Sequence, residues 1–260
     1  MRLNKPLLSA LLCCGLMSVT ACSSTKKEDA PVAAQGVEEL YEKATTAMNE
    51  ESYVQATKYF EEVERQHPYS AWATRAQLMA AYSSYLDQRY DEAVIALDRY
   101  IQLHPGASDV DYAYYLKALC FYEQISDVRR DQDMTIEAVK SLNALINRFP
   151  ESQYTRDAIL KRDLTFDHLA GKEMEIGRYY LNRGHINSAI NRFRSVVANF
   201  QTTSHVAEAL HRLVEAYMTL GLKGEAMQVA AVLGHNYPGS KWYERSYQLL
   251  DDEQRRQIVD

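Results

Sequence analysis

The sequence predicts an all-α fold: five helix pairs stacked into a right-handed superhelix and closed by one last helix. Three observations predict it. First, a pattern of small, large, large and stop residues returns five times. It runs Ala56, Phe60, Val63, Pro68, then Ala93, Leu97, Tyr100, Pro105, then Ala138, Leu142, Leu145, Pro150. Ala189, Phe193, Val196 and Gln201 follow, and Ala226, Ala230, Leu233 and Pro238 complete the series. Residues three and four apart share one helix face. The returns are spaced 37, 45, 51 and 37 residues apart, the period of a helical repeat array. Second, glycine (10) and proline (6) are scarce, and the prolines fall mostly at unit ends. Third, 47% hydrophobic and 25% charged residues suit a water-facing helical body.

The chain starts with a targeting segment, residues 1–21. Arg2 and Lys5 give a positive start. Residues 7–19 form an apolar core of 13 residues. That is short of the ~20 that a membrane span needs. Val19-Thr20-Ala21-Cys22 then resembles a bacterial lipobox. This implies a thioether-linked lipid on Cys22 and cleavage before it. The bland alternative is an ordinary secretory signal with an accidental cysteine. Several acyl chains at ~0.8 kcal/mol per buried CH₂ anchor a protein without a transmembrane helix. Ser23 and Ser24 follow, with none of the aspartate that retains lipoproteins at the inner membrane, which favours the outer membrane. Residues 23–36 are small, polar and aperiodic, a flexible tether of about 20 Å.

From Val37 the chain reads as helix pairs. Ala44 and Ala56 lie twelve apart, as do Ala81 and Ala93, and Gly177 and Ala189. Small residues at both places let two helices cross closely, and Tyr180, Phe193 and Tyr217 fill the space beside such crossings. Polar turns at 49–52, 87–89 and 182–185 separate the two helices of a unit. Two places break the pattern: Gln201 replaces the fourth proline and Val214 replaces the fifth unit's first small residue. A looser end or altered packing is expected there. Unit three carries a charged insert, 126–135, expected as a surface loop that is either functional or a tolerated insertion. Before unit four there are 14 extra residues, and 152–182 lacks proline, so one long helix or two collinear ones should bridge units three and four. Lys241–Val259, with Tyr243, Tyr247, Leu250 and Ile258, should cap the array.

No catalytic constellation emerges. His67 and His104 precede unit-closing prolines and read as helix-end residues. His205 and His211, six apart, do not share a helix face for a metal. The H-E-x-x-H, paired C-x-x-C, G-x-S-x-G and phosphate-loop motifs are absent from the sequence. Cys13 and Cys14 lie in the apolar run of the leader, Cys22 follows it as the lipid site, and Cys120 is alone in an apolar helix, so no disulfide framework can be drawn. No enzyme activity, metal or cofactor is expected. Loss of residues 1–21 takes formal net charge from −6 to −8, and an acidic chain without basic runs is a poor nucleic-acid ligand.

What remains is surface. The first helices of the units line the concave side, which places Tyr41 and Met48, then Arg75, Leu78, Tyr82 and Tyr85, then Tyr112, Tyr115, Leu119 and Tyr122 along it. Tyrosines offer apolar faces with hydrogen-bonding tips, suited to an extended peptide with aromatic side chains. Packing between helices is the alternative use for each ring. Arg178, Arg183, Arg192, Arg194 and Arg212 concentrate basic charge in units four and five. Arg192 and Arg194 are expected on the exposed part of one helix, as a patch for an acidic partner. Solvation of a helix face is the alternative.

The small-x11-small spacing, the aromatic fill and the terminal prolines are similar to the tetratricopeptide repeat. The expected fold is therefore a right-handed superhelix of five tetratricopeptide-like helix pairs with a C-terminal capping helix. The lipobox, the stretches 55–85 and 90–105, the HPYS and LHP unit ends, the extra length before unit four and Arg178-Tyr179-Tyr180 are more specific. Together they resemble the BamD (ComL-like) lipoprotein family of the outer-membrane β-barrel assembly machinery. The resemblance implies a lipid-anchored scaffold on the periplasmic face of the outer membrane. Residues 37–150 would hold unfolded outer-membrane proteins in the groove of Tyr41, Arg75, Tyr82, Tyr85, Tyr112, Tyr115 and Tyr122, through their C-terminal aromatic signal. Residues 151–260 would dock on a BamA-type barrel insertase and other Bam lipoproteins, with Arg192 and Arg194 at the contact. A pilotin-like or cell-wall-enzyme adaptor, or a peptidoglycan hydrolase on helical repeats, would explain the repeats differently.

Overall fold

The computed structural model describes the backbone of residues 36–259 and the side chains of residues 36–251. The targeting segment, Cys22 and the tether up to residue 35 lie outside the described residues, as does the Ile258 side chain.

The described residues form eleven helices and no strand. Unit one is α1 (Val37–Asn49) and α2 (Tyr53–Gln66); unit two is α3 (Ala71–Leu86) and α4 (Tyr90–Leu103). Unit three is α5 (Val110–Tyr122) and α6 (Asp133–Arg148). Unit four is α7 (Thr155–Asn182) and α8 (Ile186–Asn199), and unit five is α9 (Val206–Thr219) and α10 (Lys223–Asn236). The cap is α11 (Lys241–Val259), which rests on α9 and α10. Each helix packs on the next, and α1, α3, α5 and α7 also touch in sequence, so the first helices form a common inner wall. This is the tetratricopeptide-like superhelix.

The repeat pattern is the core. Ala44, Ala56, Ala81, Ala93 and Ala189 are fully buried, and Gly177 is buried where α7 crosses α8. Phe60, Leu97, Leu142 and Phe193 fill the space beside the crossings and expose nothing. Burying one such side chain contributes about 1.5–3 kcal/mol, so the pattern residues dominate the stability. Val214 is fully buried as well, so unit five accepts a larger residue at the crossing.

The turns repeat too. Within units one, two, four and five the chain passes through one left-handed residue: Glu51 (φ 58°), Gln88 (φ 60°), Gly184 (φ 75°) and Gly221 (φ 75°). The next amide donates back to the last helical turn, as Ser52 N to Ala47 O at 2.9 Å and His185 N to Tyr180 O at 2.9 Å. Between units, His67, His104, Phe149, Phe200 and Tyr237 cap the second helices with matching backbone angles. The unit that lacks the proline keeps this turn: Phe200 N donates to Val196 O at 3.0 Å and Thr203 N to Phe200 O at 3.1 Å. Gln201 therefore loosens nothing; the hydrogen bonds, not the proline ring, define the turn.

The bridge between units three and four is a single helix of 28 residues, α7. The insert needs a correction. Its last three residues, Asp133 to Thr135, belong to α6, and Thr135 is buried, its hydroxyl donating to Gln132 Oε1 at 3.2 Å. An acidic residue at the start of a helix complements its dipole, which a reading of charge alone takes for loop. The rest of the insert lies on α7. Lys172 Nζ donates to the Arg129 and Arg130 carbonyls at 3.0 and 3.3 Å, and Gln132 Oε1 stands 3.1 Å from His168 Nδ1.

Candidate functional site

The inner wall brings four of the expected tyrosines into one run. Tyr82 stacks on Tyr85 at 6.4 Å between ring centres, one turn apart on α3. Tyr82 reaches across to Tyr112 of α5 at 6.3 Å. Tyr112 meets Tyr154, the residue before α7, at 5.2 Å, and Tyr154 stacks on Tyr115 at 5.0 Å. Tyr90, the first residue of α4, closes the far end against Tyr85 at 5.8 Å. Such offset and tilted pairs add about 0.5–1.5 kcal/mol each beyond area burial. The rings are half-buried.

The other expected groove residues stand apart. Tyr41 packs on Phe60 at 5.3 Å and Trp72 at 4.8 Å and belongs to the core of units one and two. Arg75 is exposed beside it. Leu78 is buried and offers no groove surface. Tyr122 lies two turns beyond Tyr115 on α5, under the Lys161 ammonium at 5.5 Å. Tyr154, Asp157 and Lys161 extend the run and were not anticipated. Tyr154 sits just past a unit-closing proline, outside the helical period used to place the others.

Electrostatics keep the phenols protonated. Burial pushes Tyr85 up to about 12, and it pushes Tyr112 well above the ordinary phenol range. Tyr115 is raised by burial and then by its bond to Asp157, whose Oδ2 accepts at 2.5 Å. Asp157 in turn is lowered by that bond and by Lys161, 2.9 Å away. Tyr85, Tyr112 and Tyr115 thus hold their protons and present apolar faces with polar tips. Cys120 beneath it is fully buried, and burial pushes its thiol up to about 12, which makes it an inert core residue. Among the described residues no cluster of side chains could hold a metal.

The basic residues of units four and five do not form a patch. Arg178 bridges Glu175 at 3.3 Å and Glu208 at 3.1 Å, and Arg212 bridges Glu208 at 3.5 Å and Glu215 at 2.8 Å. Arg183 lies over the Tyr179 ring at 5.3 Å. Arg192 is half-exposed and donates to both Glu173 oxygens at 3.1 and 3.2 Å. Arg194 is exposed but faces α9 and α10, away from Arg192. The expectation of one exposed Arg192–Arg194 surface is therefore corrected. Two residues along a helix differ by ~200° of rotation, so neighbours in sequence face opposite ways.

Comparison with known proteins places the chain among relatives. A family model described as YfiO, outer membrane lipoprotein, matches residues 33–233. Outer membrane protein assembly factor BamD of Caulobacter vibrioides is 47% identical over 244 residues, 94% of this chain and 80% of its own. The protein of that name from Rickettsia prowazekii is 46% identical over 257 residues, 98% of this chain and 100% of its own. That from Neisseria meningitidis is 33% identical over 246 residues, covering 90% and 92%. Among solved structures, the TPR domain of P58(IPK) aligns over 84% of this chain and 66% of its own, at 12% identity and a TM-score of 0.43. The chain belongs to the YfiO family of outer membrane lipoproteins.

Proposed function

We propose that this chain is a non-catalytic scaffold of the machinery that folds and inserts outer-membrane β-barrel proteins. A lipid on Cys22 holds it to the periplasmic face of the outer membrane. Residues 37–150 receive unfolded outer-membrane proteins, and residues 151–260 dock on a BamA-type barrel insertase and on other Bam lipoproteins. The single observation that carries the role is identity of 46–47% with two BamD assembly factors over nearly the whole chain.

The tyrosine run supports the substrate half. Its rings are held by two first helices, α3 and α5, and by Tyr154 at the start of α7, so a peptide with aromatic side chains finds rings to stack on and hydroxyls to bond. Tyr82, Tyr85, Tyr112 and Tyr115 form its centre, with Tyr122 at one end. Tyr41 and Arg75 flank it at a distance. The test is binding of a labelled peptide that ends in an aromatic residue, copied from the C-terminus of an outer-membrane protein. Losing two rings of the run in a Tyr112→Ala, Tyr154→Ala variant weakens binding roughly tenfold or more. Unchanged affinity sinks the groove.

Docking on the insertase is assigned to Arg192, where Glu173 holds the guanidinium ready at the surface. An Arg192→Glu variant faces Glu173 with like charge and should lose the insertase on co-purification. Full retention contradicts the assignment.

A further inference from the structure

The array breaks its period in two places, and the two breaks meet. One is the insert between α5 and α6; the other is the extra length of α7. Lys172 of α7 holds carbonyls of the insert, and Val128 of the insert lies over Gly171 of α7. A Cβ added at Gly171 would stand 3.5 Å from Val128 Cγ1 and 3.3 Å from His205 Nε2, so only a glycine leaves room there. The insert, α7 and His205 at the head of α9 bound a cleft of about 550 Å³. Insertions in a repeat array collect on one face, which is often the binding face.

This cleft continues the wall that carries the tyrosines. Tyr154, Asp157, Lys161, Leu164 and His168 recur three or four residues apart, so they share one side of α7. Contacts run along that line: Tyr115 donates to Asp157, Asp157 pairs with Lys161, and Lys161 lies over Tyr122. Leu164 comes next and lines the cleft. It is 61% exposed, and Leu160, one turn before it, is 58% exposed. The charged rim is answered from within. Arg129 and Arg178 both pair with Glu175, at 3.6 and 3.3 Å, and Asp167 faces His205 at 3.5 Å. Asp127 accepts from the Arg129 amide at 2.8 Å. The surface offered to a ligand is therefore the apolar part, Leu164 with Val128 above it.

The spacing sets what fits. Ten residues of helix separate Tyr154 from Leu164, about 15 Å at 1.5 Å per residue. Extended chain covers that distance in four to five residues at ~3.4 Å each. Side chains alternate along an extended chain, so residues four apart point the same way. A strand of a membrane β-barrel alternates apolar and polar residues with this period. We infer that the cleft under the insert is a second subsite of the peptide groove. With the terminal aromatic ring of an unfolded outer-membrane protein on Tyr112 and Tyr154, the apolar side chain four residues upstream rests on Leu164 beneath Val128. Leu164 is then a specificity-determining residue that selects segments apolar at alternate positions. This rests on the reading of the tyrosine run as the substrate groove.

The test uses the full-length lipidated protein in mild detergent and a labelled peptide that ends in phenylalanine, with valine four residues upstream. Changing that valine to serine weakens binding about fivefold or more. In a Leu164→Ser variant the same change in the peptide has little further effect, because the two losses couple and do not add. Val128→Ser, from the other side of the cleft, gives the same coupling. Both variants keep the parent's thermal midpoint, since neither residue is in the core. A photo-leucine in place of the valine forms adducts with residues 127–129 or with α7 near Leu164, mapped by mass spectrometry. Additive losses, or adducts confined to α1 and α3, overturn the subsite. If binding still depends on Tyr112 and Tyr154 in that case, the tyrosine groove stands without it. Binding indifferent to Tyr112 and Tyr154 sinks the groove reading, and the subsite falls with it.

Discussion

Gly177→Ala tests how tightly unit four is built. A methyl group at Gly177 would meet the Phe193 ring at 2.4, 2.9 and 2.9 Å. Phe193 is fully buried among Ala170, Met174, Ala189 and Leu213, so its ring has nowhere to retreat. Overpacking of this kind costs about 1–3 kcal/mol. Replacing glycine by alanine inside a helix returns about 1 kcal/mol. The net expectation is a loss of about 1 kcal/mol, or ~0.3 M in urea midpoint at a slope of about 3 kcal/mol per molar. The corresponding pair in unit one is Ala44 with Phe60, both fully buried, so α7 and α8 make the closer crossing. Urea unfolding followed by far-UV circular dichroism measures the effect. In a Phe193→Leu background the ring is gone and Gly177→Ala should become stabilising, a coupling of about 1–3 kcal/mol. A rise in midpoint for Gly177→Ala alone would mean that helix propensity wins and the crossing is loose, which refutes the reasoning.

Three further outcomes follow from the same structure. Gln88 is exposed in a left-handed turn where units four and five use glycine; Gln88→Gly should raise stability by roughly 0.5–1 kcal/mol in thermal unfolding, and no gain would show that the turn is unstrained. Tyr85, Tyr112 and Tyr115 hold their protons more tightly folded than unfolded, so their contribution is complete below about pH 10 and is lost as pH climbs from there through the folded values, about 12 for Tyr85 and higher for the others. A late class of phenolate absorbance should accordingly appear together with loss of helical signal; full ionisation near pH 10 with the fold intact would contradict it. Cys120, buried and with its thiol pushed up to about 12, should resist iodoacetamide until denaturant is added, and labelling of the native protein would expose an error in the unit-two and unit-three core.

The architecture was largely legible because the crossing geometry demands small residues at fixed spacing. Ala44, Ala56, Gly177 and Ala189 declare it without any other information. The long α7 was legible from length and the absence of proline. The helix start at Asp133 was not, because an acidic N-terminal turn and a charged loop look alike in one dimension. Gln201 misled in the other direction: a missing proline suggested slack, while backbone hydrogen bonds at Phe200 and Thr203 preserve the turn.

The surface was only partly legible. Four tyrosines could be placed on the inner wall from repeat phase, yet which rings meet depends on how α3, α5 and the start of α7 approach each other. Tyr41 has the right phase and still turns into the core, drawn by Phe60 and Trp72. Tyr154 falls outside the phase and completes the run. The arginines show the limit most plainly: sequence counts them, and only the fold reveals that Glu173, Glu175, Glu208 and Glu215 already answer three of the five.

The assembly role is tested most directly by a mild-detergent pull-down of the lipidated protein from its own cell envelopes, read by mass spectrometry. The account predicts near-stoichiometric recovery of a large barrel protein with a multi-domain periplasmic arm. Recovery of pilus or cell-wall proteins, with no such barrel, would contradict it and turn the chain into a lipid-anchored adaptor of another kind.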